Sequence, residues 1–404
     1  MPGDREVPPQ RNRLSPLRFV LAFGVVSMLA DFVYEGARGV VGPYLATFGA
    51  SAAVVGLVTG AGEAVALVFR LVTGPLSDHL RRYWSITQAG YLITVVAVPL
   101  LAVAPAFGPA AAAVIAERFG KAVRTPARDT MLAHAGTHLG RGKAFALHEA
   151  LDQSGALLGP LLVAGMIAIS GYRAGFAVLV VPGVLALVLL AWLRRAVPHP
   201  SAFSSGPSGQ EATAGHATAA SRRFSPRFWL YTAFAVLTML GFATFGVLAF
   251  HLSVRHVVPD WEIPVVYAAA MGVDAFAAVG FGWIYDRWGL RGLVALPALA
   301  AVVPFLSFAT EPAAVWAGAL VWGAGLGAHE STMRAAVADL VPAARRGTGY
   351  GVFTAAYGLA WLAGGAVIGA FYDTSPTALH AFVLATQTAA LLAFVALLLS
   401  DTRT

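Results

Sequence analysis

The chain has 404 residues, of which 58% are hydrophobic and only 12% are charged, and its formal net charge is +7 at pH 7. A soluble globular chain carries about 25% charged residues, so this composition excludes an ordinary soluble domain and indicates a protein embedded in lipid. The absence of cysteine from the sequence excludes disulfides, thiolate metal sites and cysteine nucleophiles.

Apolar segments long enough to cross a bilayer recur along the chain, with short connections between them. They predict an all-α integral membrane protein with about twelve transmembrane helices, at 17–45, 51–76, 84–104, 109–135, 142–168, 174–193, 228–251, 263–284, 292–309, 313–338, 347–371 and 379–399. The basic start resembles a secretory signal, but the following apolar stretch is too long and contains Asp31. We therefore interpret it as a retained first helix.

The segment at 194–227, between the sixth and seventh helices, is rich in Ser, Gly, Ala and Pro. Such a composition cannot build a hydrophobic core, so we predict a flexible cytoplasmic linker here. The expected domains are an N-terminal six-helix bundle at 1–193 and a C-terminal six-helix bundle at 228–404.

Basic residues are concentrated before the first helix and in every second connection after it. They are Arg5, Arg11, Arg13, Arg18, Arg81, Arg82, Arg141, Lys143, Arg194, Arg195, Arg222, Arg223, Arg227, Arg287, Arg291, Arg345 and Arg346. The other connections contain only Arg173 and Arg255. This positive-inside bias predicts a multi-pass protein of the plasma (inner) membrane with both termini in the cytoplasm, and it argues against nucleic-acid binding.

The two halves repeat each other in sequence. The second helix ends with Gly74-Pro-Leu-Ser-Asp78, and the eighth ends with Gly282-Trp-Ile-Tyr-Asp286, an offset of 208 residues. A second match, between the starts of the fifth and eleventh helices, has an offset of 205 residues. Two matches at nearly one offset predict a six-plus-six duplication, with the halves related by a pseudo-two-fold axis.

The loop motif at the second copy resembles the cytoplasmic signature of the major facilitator superfamily, Gly-x-x-x-Asp-basic-x-Gly-basic-basic. The matching residues are Gly282, Asp286, Arg287, Gly289 and Arg291 in the second copy, and Gly74, Asp78 and Arg82 in the first. The first copy departs from the motif at His79 and at Arg81, where glycine is expected. The resemblance implies the fold of that family and solute transport by rocking of two bundles, but it implies no particular substrate.

Charged residues are distributed unevenly among the predicted helices. The third, sixth, ninth and twelfth helices have none between their ends, as expected of outer, lipid-facing helices. In the first helix, Asp31, Glu35 and Arg38 are spaced so that they share one face, which must look inward. The fourth helix carries a similar row of charges, and most buried charge lies in the N-terminal half.

We predict a proton-coupling and substrate cavity from these charges, and a set of gating residues near the cytoplasmic helix ends. The cavity residues are Asp31, Glu35, Arg38, Glu63, Arg118, Arg124, His148, Glu149, Asp152, His329 and Glu330. The gating residues are Gly74, Asp78, Arg82, Arg128, Asp129, Gly282, Asp286, Arg287 and Arg334. In this hypothesis a carboxyl of the first or fifth helix exchanges a proton while a fourth-helix arginine binds its charged form. The alternative is that these residues only form fixed interhelical ion pairs.

The fifth helix contains Gly155-Ala-Leu-Leu-Gly159-Pro160, a pattern of small residues that allows close helix contact. It resembles part of a fifth-helix motif of family drug antiporters, although Val163 and Ala164 stand where paired glycines are expected. The motif favours export. Ordinary helix packing is the alternative explanation.

Other chemistry has weaker support in the sequence. The glycine-rich stretch at 136–144 lacks the spacing of a phosphate-binding loop, so ATP hydrolysis is not predicted. His148 and Asp152 lie one turn apart and could hold a transition metal with another helix, but we predict no metal site and no cofactor. The sequence contains no nucleophile with a neighbouring base that would indicate an enzyme.

The predicted function is therefore a proton-coupled secondary active transporter that moves a small solute by alternating access, and we expect a monomer. Its expected partners are a small-molecule solute, protons and the lipid bilayer. The alternatives are a non-transporting membrane solute sensor and, among transporters, a metal-ion or metabolite uptake permease.

Overall fold

The computed structural model describes residues 13–204, 224–342 and 345–400. Residues 205–223 of the linker predicted at 194–227, and the side chain of the predicted gating residue Arg334, lie outside the described residues. Helices dominate the described part, which contains no strand. They are α1 (Pro16–Arg38), α2 (Val41–Ala46), α3 (Ala52–Val68), α4 (Arg70–Leu80), α5 (Tyr83–Leu100), α6 (Phe107–Leu139), α7 (Arg141–Val178), α8 (Val180–Ala196), α9 (Pro226–Leu240), α10 (Phe245–Val254), α11 (Ile263–Trp288), α12 (Ala295–Ser307), α13 (Pro312–Leu340), α14 (Arg346–Thr374) and α15 (Pro376–Leu399).

These helices make the twelve crossings that the hydrophobic pattern predicts. Eight stretches of the described chain are long and apolar enough to cross a membrane, and two of them, Gly142–Ala196 and Ile263–Ser307, each contain two crossings. The first of these turns back at Ser170 and Gly171, where φ is −146° and +75°. Helices α6 and α13, with 33 and 29 residues, complete the set.

Serine caps and prolines fix where several helices begin. Ser15 and Ser225 each precede a proline, and each side chain accepts a hydrogen bond from the backbone N–H three residues on, at 3.4 and 3.2 Å. Such a cap satisfies one of the free N–H groups of the first turn, and proline is pre-organised for that position. The same capping pair therefore starts the first helix of both halves.

The structure divides the first and seventh predicted helices, which the sequence pattern left continuous. The first is broken at Gly39 and Val40 into α1 and α2, and the seventh is broken between α9 and α10 at 241–244. Glycine weakens a helix at both places. At the second break the carbonyl of Ala243 accepts a hydrogen bond from Trp322 Nε1 at 2.8 Å, which replaces a lost helical bond.

Helix packing follows the repeat. Helix α1 packs against α7 and α8, and the equivalent α9 packs against α14 and α15. The halves meet where α3 packs against α14, α7 against α11, and α2 against α10. We call the side on which α1 and α9 begin and α8 and α15 end the linker side, and the opposite side the far side.

The four helices predicted to be outermost expose rows of large apolar side chains. These are Leu92, Val96 and Leu100 on α5, Val181, Leu185 and Val188 on α8, Val302 and Phe305 on α12, and Leu392, Val395 and Leu399 on α15. Helix α11 is also exposed in part, through Phe276 and Val279. Exposed apolar surface of this extent fits a lipid boundary.

Candidate transport cavity

A cavity of about 860 Å³ lies between the two halves. Its lining reaches from Arg38 and Glu63 in the middle of the bundle to Asp78 and Gly347 on the linker side. The wall from the N-terminal half carries most of the charge, whereas the wall from α13 and α14 carries one acid and three aromatic side chains. The α13–α14 wall includes Glu330, Met333, Tyr350, Tyr357 and Trp361.

At the deep end of the cavity, arginines and glutamates form one connected network. Arg38 contacts Glu63 at 2.7 Å and Glu35 at 3.3 Å. Arg118 lies 3.6 Å from the same Glu63 oxygen and pairs with Glu117 at 3.0 Å. Each charge of this network has an opposite charge beside it, which offsets the cost of burying ions.

The network also reaches across to the C-terminal half. The hydroxyl of Tyr267, on α11, donates a hydrogen bond to Glu35 Oε2 on α1. The guanidinium of Arg38 lies 5.9 Å from the centre of the Trp361 ring on α14, within the range of a cation–π contact. The two walls of the cavity therefore hold the same group of charges.

Asp31 and Asp152 face each other across the contact between α1 and α7. The two carboxyl groups are close enough to interact electrostatically, and Asp152 Oδ1 is buried without a hydrogen-bond partner among the described residues. Asp31 is 4% exposed, and its Oδ2 also accepts a hydrogen bond from Tyr34 at 3.0 Å. Two neighbouring carboxylates repel each other, so a proton on one of the pair relieves the repulsion.

A lysine and an arginine of α6 lie beside this carboxyl pair. Lys121 Nζ donates to the Tyr34 hydroxyl at 3.0 Å, so it reaches Asp31 through the tyrosine. Arg124, which was predicted to bind a carboxylate, donates instead to Thr94 Oγ1 at 2.7 Å and lies between the rings of Tyr34 and Tyr91. Lys121 is thus the closer cation in this conformation.

The remaining predicted cavity residues occupy different surroundings. His148 is buried, and its Nε2 lies 2.8 Å from Ser27 Oγ, away from Asp152. Among the described residues, no three histidine or acidic side chains cluster as they would to hold a metal ion. Glu149 and Glu330 line the cavity, whereas His329 is buried against the rings of Phe242 and Tyr357.

The predicted gating residues lie on the linker side and are spread apart. Gly74, Asp78 and Arg128 line the cavity, and Arg128 pairs with the adjacent Asp129 at 3.0 Å. Arg82, Asp286 and Arg287 are exposed, and a Cβ on Gly282 would meet no atom within 4 Å. In the described residues, no ion pair within 4.0 Å joins Asp78 or Asp286 to a cation.

Backbone contacts through glycine close the far side. A Cβ on Gly56 of α3 would collide with the carbonyl oxygen of Gly365 on α14, and one on Gly42 of α2 would collide with that of Gly246 on α10. Helices can approach this closely only where side chains are absent. The cavity is therefore sealed on the far side by close packing.

Glycines also hold α7 against α1. A Cβ on Gly155 would overlap the Met28 carbonyl, and one on Gly159 would lie 2.6 Å from the Phe32 carbonyl oxygen. The Gly-x-x-x-Gly pattern of the sequence thus serves the helix contact that brings Asp31 and Asp152 together.

Sequence reasoning missed several residues of this site. Lys121 lies on the same charged helix face as Glu117, so its spacing was a usable signal. Tyr267 and Trp361 gave no signal, because their roles depend on which helices of the two halves face each other.

The chain was compared with known proteins and structures. A family profile described as Major Facilitator Superfamily matches residues 23–402. An uncharacterized protein of Mycobacterium tuberculosis is 51% identical over 390 residues, covering 96% of this chain and 94% of that protein. An uncharacterized MFS-type transporter of Methanocaldococcus jannaschii is 24% identical over 388 residues, covering 93% and 94%. The solved structure of a POT family transporter in complex with 5-aminolevulinic acid has a TM-score of 0.74 at 12% identity, covering 96% of both chains, and shows the same fold.

Proposed function

Because the chain belongs to the major facilitator superfamily and is a membrane transporter, not an enzyme, we propose that it is a secondary active transporter. We further propose that transport is coupled to protons. The protein moves a small solute by alternating access, with the solute site in the cavity between the halves.

The observation that carries the proposal is the Asp31–Asp152 pair beside the cavity. A pair that shares a proton loses it when a cation approaches or when water enters, and regains it when the pair is enclosed again. Lys121 and Tyr34 lie where they would stabilise the charged pair. Binding and release of one proton are thereby linked to the state of the cavity.

Alternating access is supported by the difference between the two sides. The cavity extends to the linker side, while glycine contacts close the far side. With the termini in the cytoplasm of a plasma or inner membrane, as the basic residues suggest, this conformation faces the cytoplasm. The two bundles at 1–193 and 228–404, joined by the linker at 194–227, would rock about the central site in one monomer.

The predicted gating residues fit the opposite conformation in this scheme. Among the side chains that the structure describes, no cation lies within 4.0 Å of Asp78 or Asp286, and both would find partners when the linker side closes. Arg82, Arg128 and Arg287 are the predicted gating cations with described side chains near that side, and Arg334 is placed there by its position on α13. Gly74 and Gly282 leave room for the helices to approach.

Export is the direction that we propose, because the stretch from Gly155 to Pro160 resembles part of the fifth-helix motif of family drug antiporters. Gly155 and Gly159 pack α7 tightly against α1, so a change at the Asp31–Asp152 pair is transmitted directly to the helix that lines the cavity. An exporter would exchange a cytoplasmic solute for a proton, and the pair would bind the proton after the solute leaves.

The test reconstitutes the protein in liposomes with an internal pH dye and screens a panel of organic amines, organic acids and nucleosides. The wild type should show solute-dependent proton flux. Asp31→Asn should abolish this flux, and Glu35→Gln should do so because it breaks the Arg38 and Tyr267 contacts. Asp260→Asn, at an exposed far-side position, is the matched control.

Unchanged flux in both Asp31→Asn and Glu35→Gln would overturn the coupling site. Saturable solute binding without flux in the wild type would favour the membrane sensor instead.

A further inference from the structure

Asp274 is a buried carboxyl group in the C-terminal half that the proposed transport cycle has not used. It lies on α11, 1% exposed. Its Oδ2 accepts a hydrogen bond from Gln153 Nε2 of α7 at 3.2 Å, across the contact between the two halves. Its Oδ1 is buried and has no hydrogen-bond partner among the described residues.

The charges around Asp274 do not neutralise a carboxylate. From α13 it faces the acidic Glu330, from α7 the uncharged Gln153, and from α1 the more distant Glu35 and Arg38, which are already paired with each other. No described cation lies within 4.0 Å of it. An arginine does lie beside each of the buried glutamates Glu35, Glu63 and Glu117.

An unpaired carboxylate in such a place is costly. Burying a single ion without a partner costs several kcal/mol even after the protein relaxes, whereas the neutral acid avoids most of that penalty. The neutral acid also fits the one bond that is present, since a carbonyl oxygen accepts from Gln153 as well as a carboxylate oxygen does.

We propose that Asp274 is a second proton-binding site of the transporter. Its proton is held while α7 and α11 are in contact, and it is released to water as H⁺, leaving a carboxylate, when that contact opens. This role rests on the proposed proton-coupled cycle, although the binding of the proton itself does not.

The two proposed proton sites respond differently to rocking of the two halves. Asp31 and Asp152 both belong to the N-terminal half, so rocking of the halves moves them together. Asp274 belongs to the other half and is bonded to Gln153, the neighbour of Asp152 in sequence. Separation of α7 from α11 removes this bond and exposes Asp274, so its proton reports directly on the conformation.

Infrared spectroscopy of the purified protein tests this proposal through the C=O stretching band of protonated carboxyl groups at pH 7. Asp274→Asn should lose one component of that band, which the exposed-site control Asp260→Asn should retain. Gln153→Leu should keep the component but move its frequency, because the hydrogen bond to the carbonyl is lost. This second variant leaves the carboxyl in place and remains informative where Asp274→Asn does not fold.

An unchanged band in Asp274→Asn, or an unmoved one in Gln153→Leu, would overturn the proposal. The comparison with Asp31→Asn separates the two hypotheses. If only Asp31→Asn loses a component, the Asp31–Asp152 pair holds the proton and the proposal for Asp274 is rejected. If only Asp274→Asn loses a component, Asp274 holds the proton and the proposal for the Asp31–Asp152 pair is rejected.

Discussion

The carboxylate of Asp373 accepts a hydrogen bond from the backbone N–H of Ala53 at 2.9 Å, joining the end of α14 to the start of α3 on the far side. Its other oxygen accepts from Ala52 N–H at 3.1 Å. A side chain of the C-terminal half therefore caps a helix of the N-terminal half, with a negative charge at the helix N-terminus. This cap exists only while the far side is closed.

Asp373→Ala should consequently shift the protein towards conformations open on the far side. Loss of a helix cap costs about 1 kcal/mol, which changes the ratio of two states about fivefold. The sequence contains no cysteine, so Thr47→Cys and Thr374→Cys can carry spin labels without further changes. The distance distribution between them should gain a longer component.

The control for this measurement is Asp260→Asn, which is exposed on the same side. An unchanged distribution in Asp373→Ala would show that the cap does not hold the far side closed.

Gly56→Ala should open the same side by steric means. The new Cβ would collide with the carbonyl oxygen of Gly365, so α3 and α14 must separate. The same pair of spin labels reports the change. Gly280→Ala is the matched control, because a Cβ there meets no atom within 4 Å, and it should leave the distance distribution as in the wild type. Equal behaviour of the two variants would refute the idea that glycine contacts seal the far side.

Arg81→Gly should stabilise the protein. Arg81 adopts φ +50° and ψ +21° at the end of α4, in the left-handed region, and the equivalent Gly289 after α11 has φ +57°. A side chain in this region costs roughly 1–2 kcal/mol, which glycine avoids. Thermal unfolding in detergent should show a higher midpoint for Arg81→Gly.

Arg82→Gly tests whether the gain depends on that conformation. Arg82 has φ −97°, where glycine offers no relief, so its midpoint should stay equal or fall. A midpoint that falls equally in both variants would contradict the prediction.

Glu63→Gln should destabilise the protein strongly. Glu63 faces Arg38 at 2.7 Å and Arg118 at 3.6 Å, and its loss leaves both arginines with less compensation. Removing one partner of a buried ion pair costs about 3–5 kcal/mol. The double variant Arg38→Gln, Glu63→Gln should be less destabilised than the sum of the two single variants, which denaturation in detergent can measure. Additive effects would mean that the pair is not energetically coupled.

The helices and their repeat could be predicted because apolar length and motif spacing are local properties of the chain. The shared face of Asp31, Glu35 and Arg38 followed from helical periodicity, and the structure places Arg38 next to Glu35. Periodicity does not tell which helix of the other half lies opposite. For that reason Tyr267 beside Glu35, and Gln153 beside Asp274, could not be found from the sequence.

The helix breaks could not be predicted for a related reason. Gly39 and Gly241 are two of 43 glycines, and most of the others lie within continuous helices. What distinguishes Gly241 is its surroundings, since a Cβ there would collide with Thr386 and Gln387 of α15. The departure of Arg81 from the loop motif was visible in the sequence, but its left-handed backbone was not.

The glycine seam on the far side has a consequence for how specificity can change in this protein. Because backbone meets backbone at the glycine contacts, these contacts present no side chain that would recognise one solute over another. Discrimination must come from the walls of the cavity, such as the aromatic surface of α14. Substitutions in the cavity walls could therefore change which solute is bound without changing the glycine contacts of the far side.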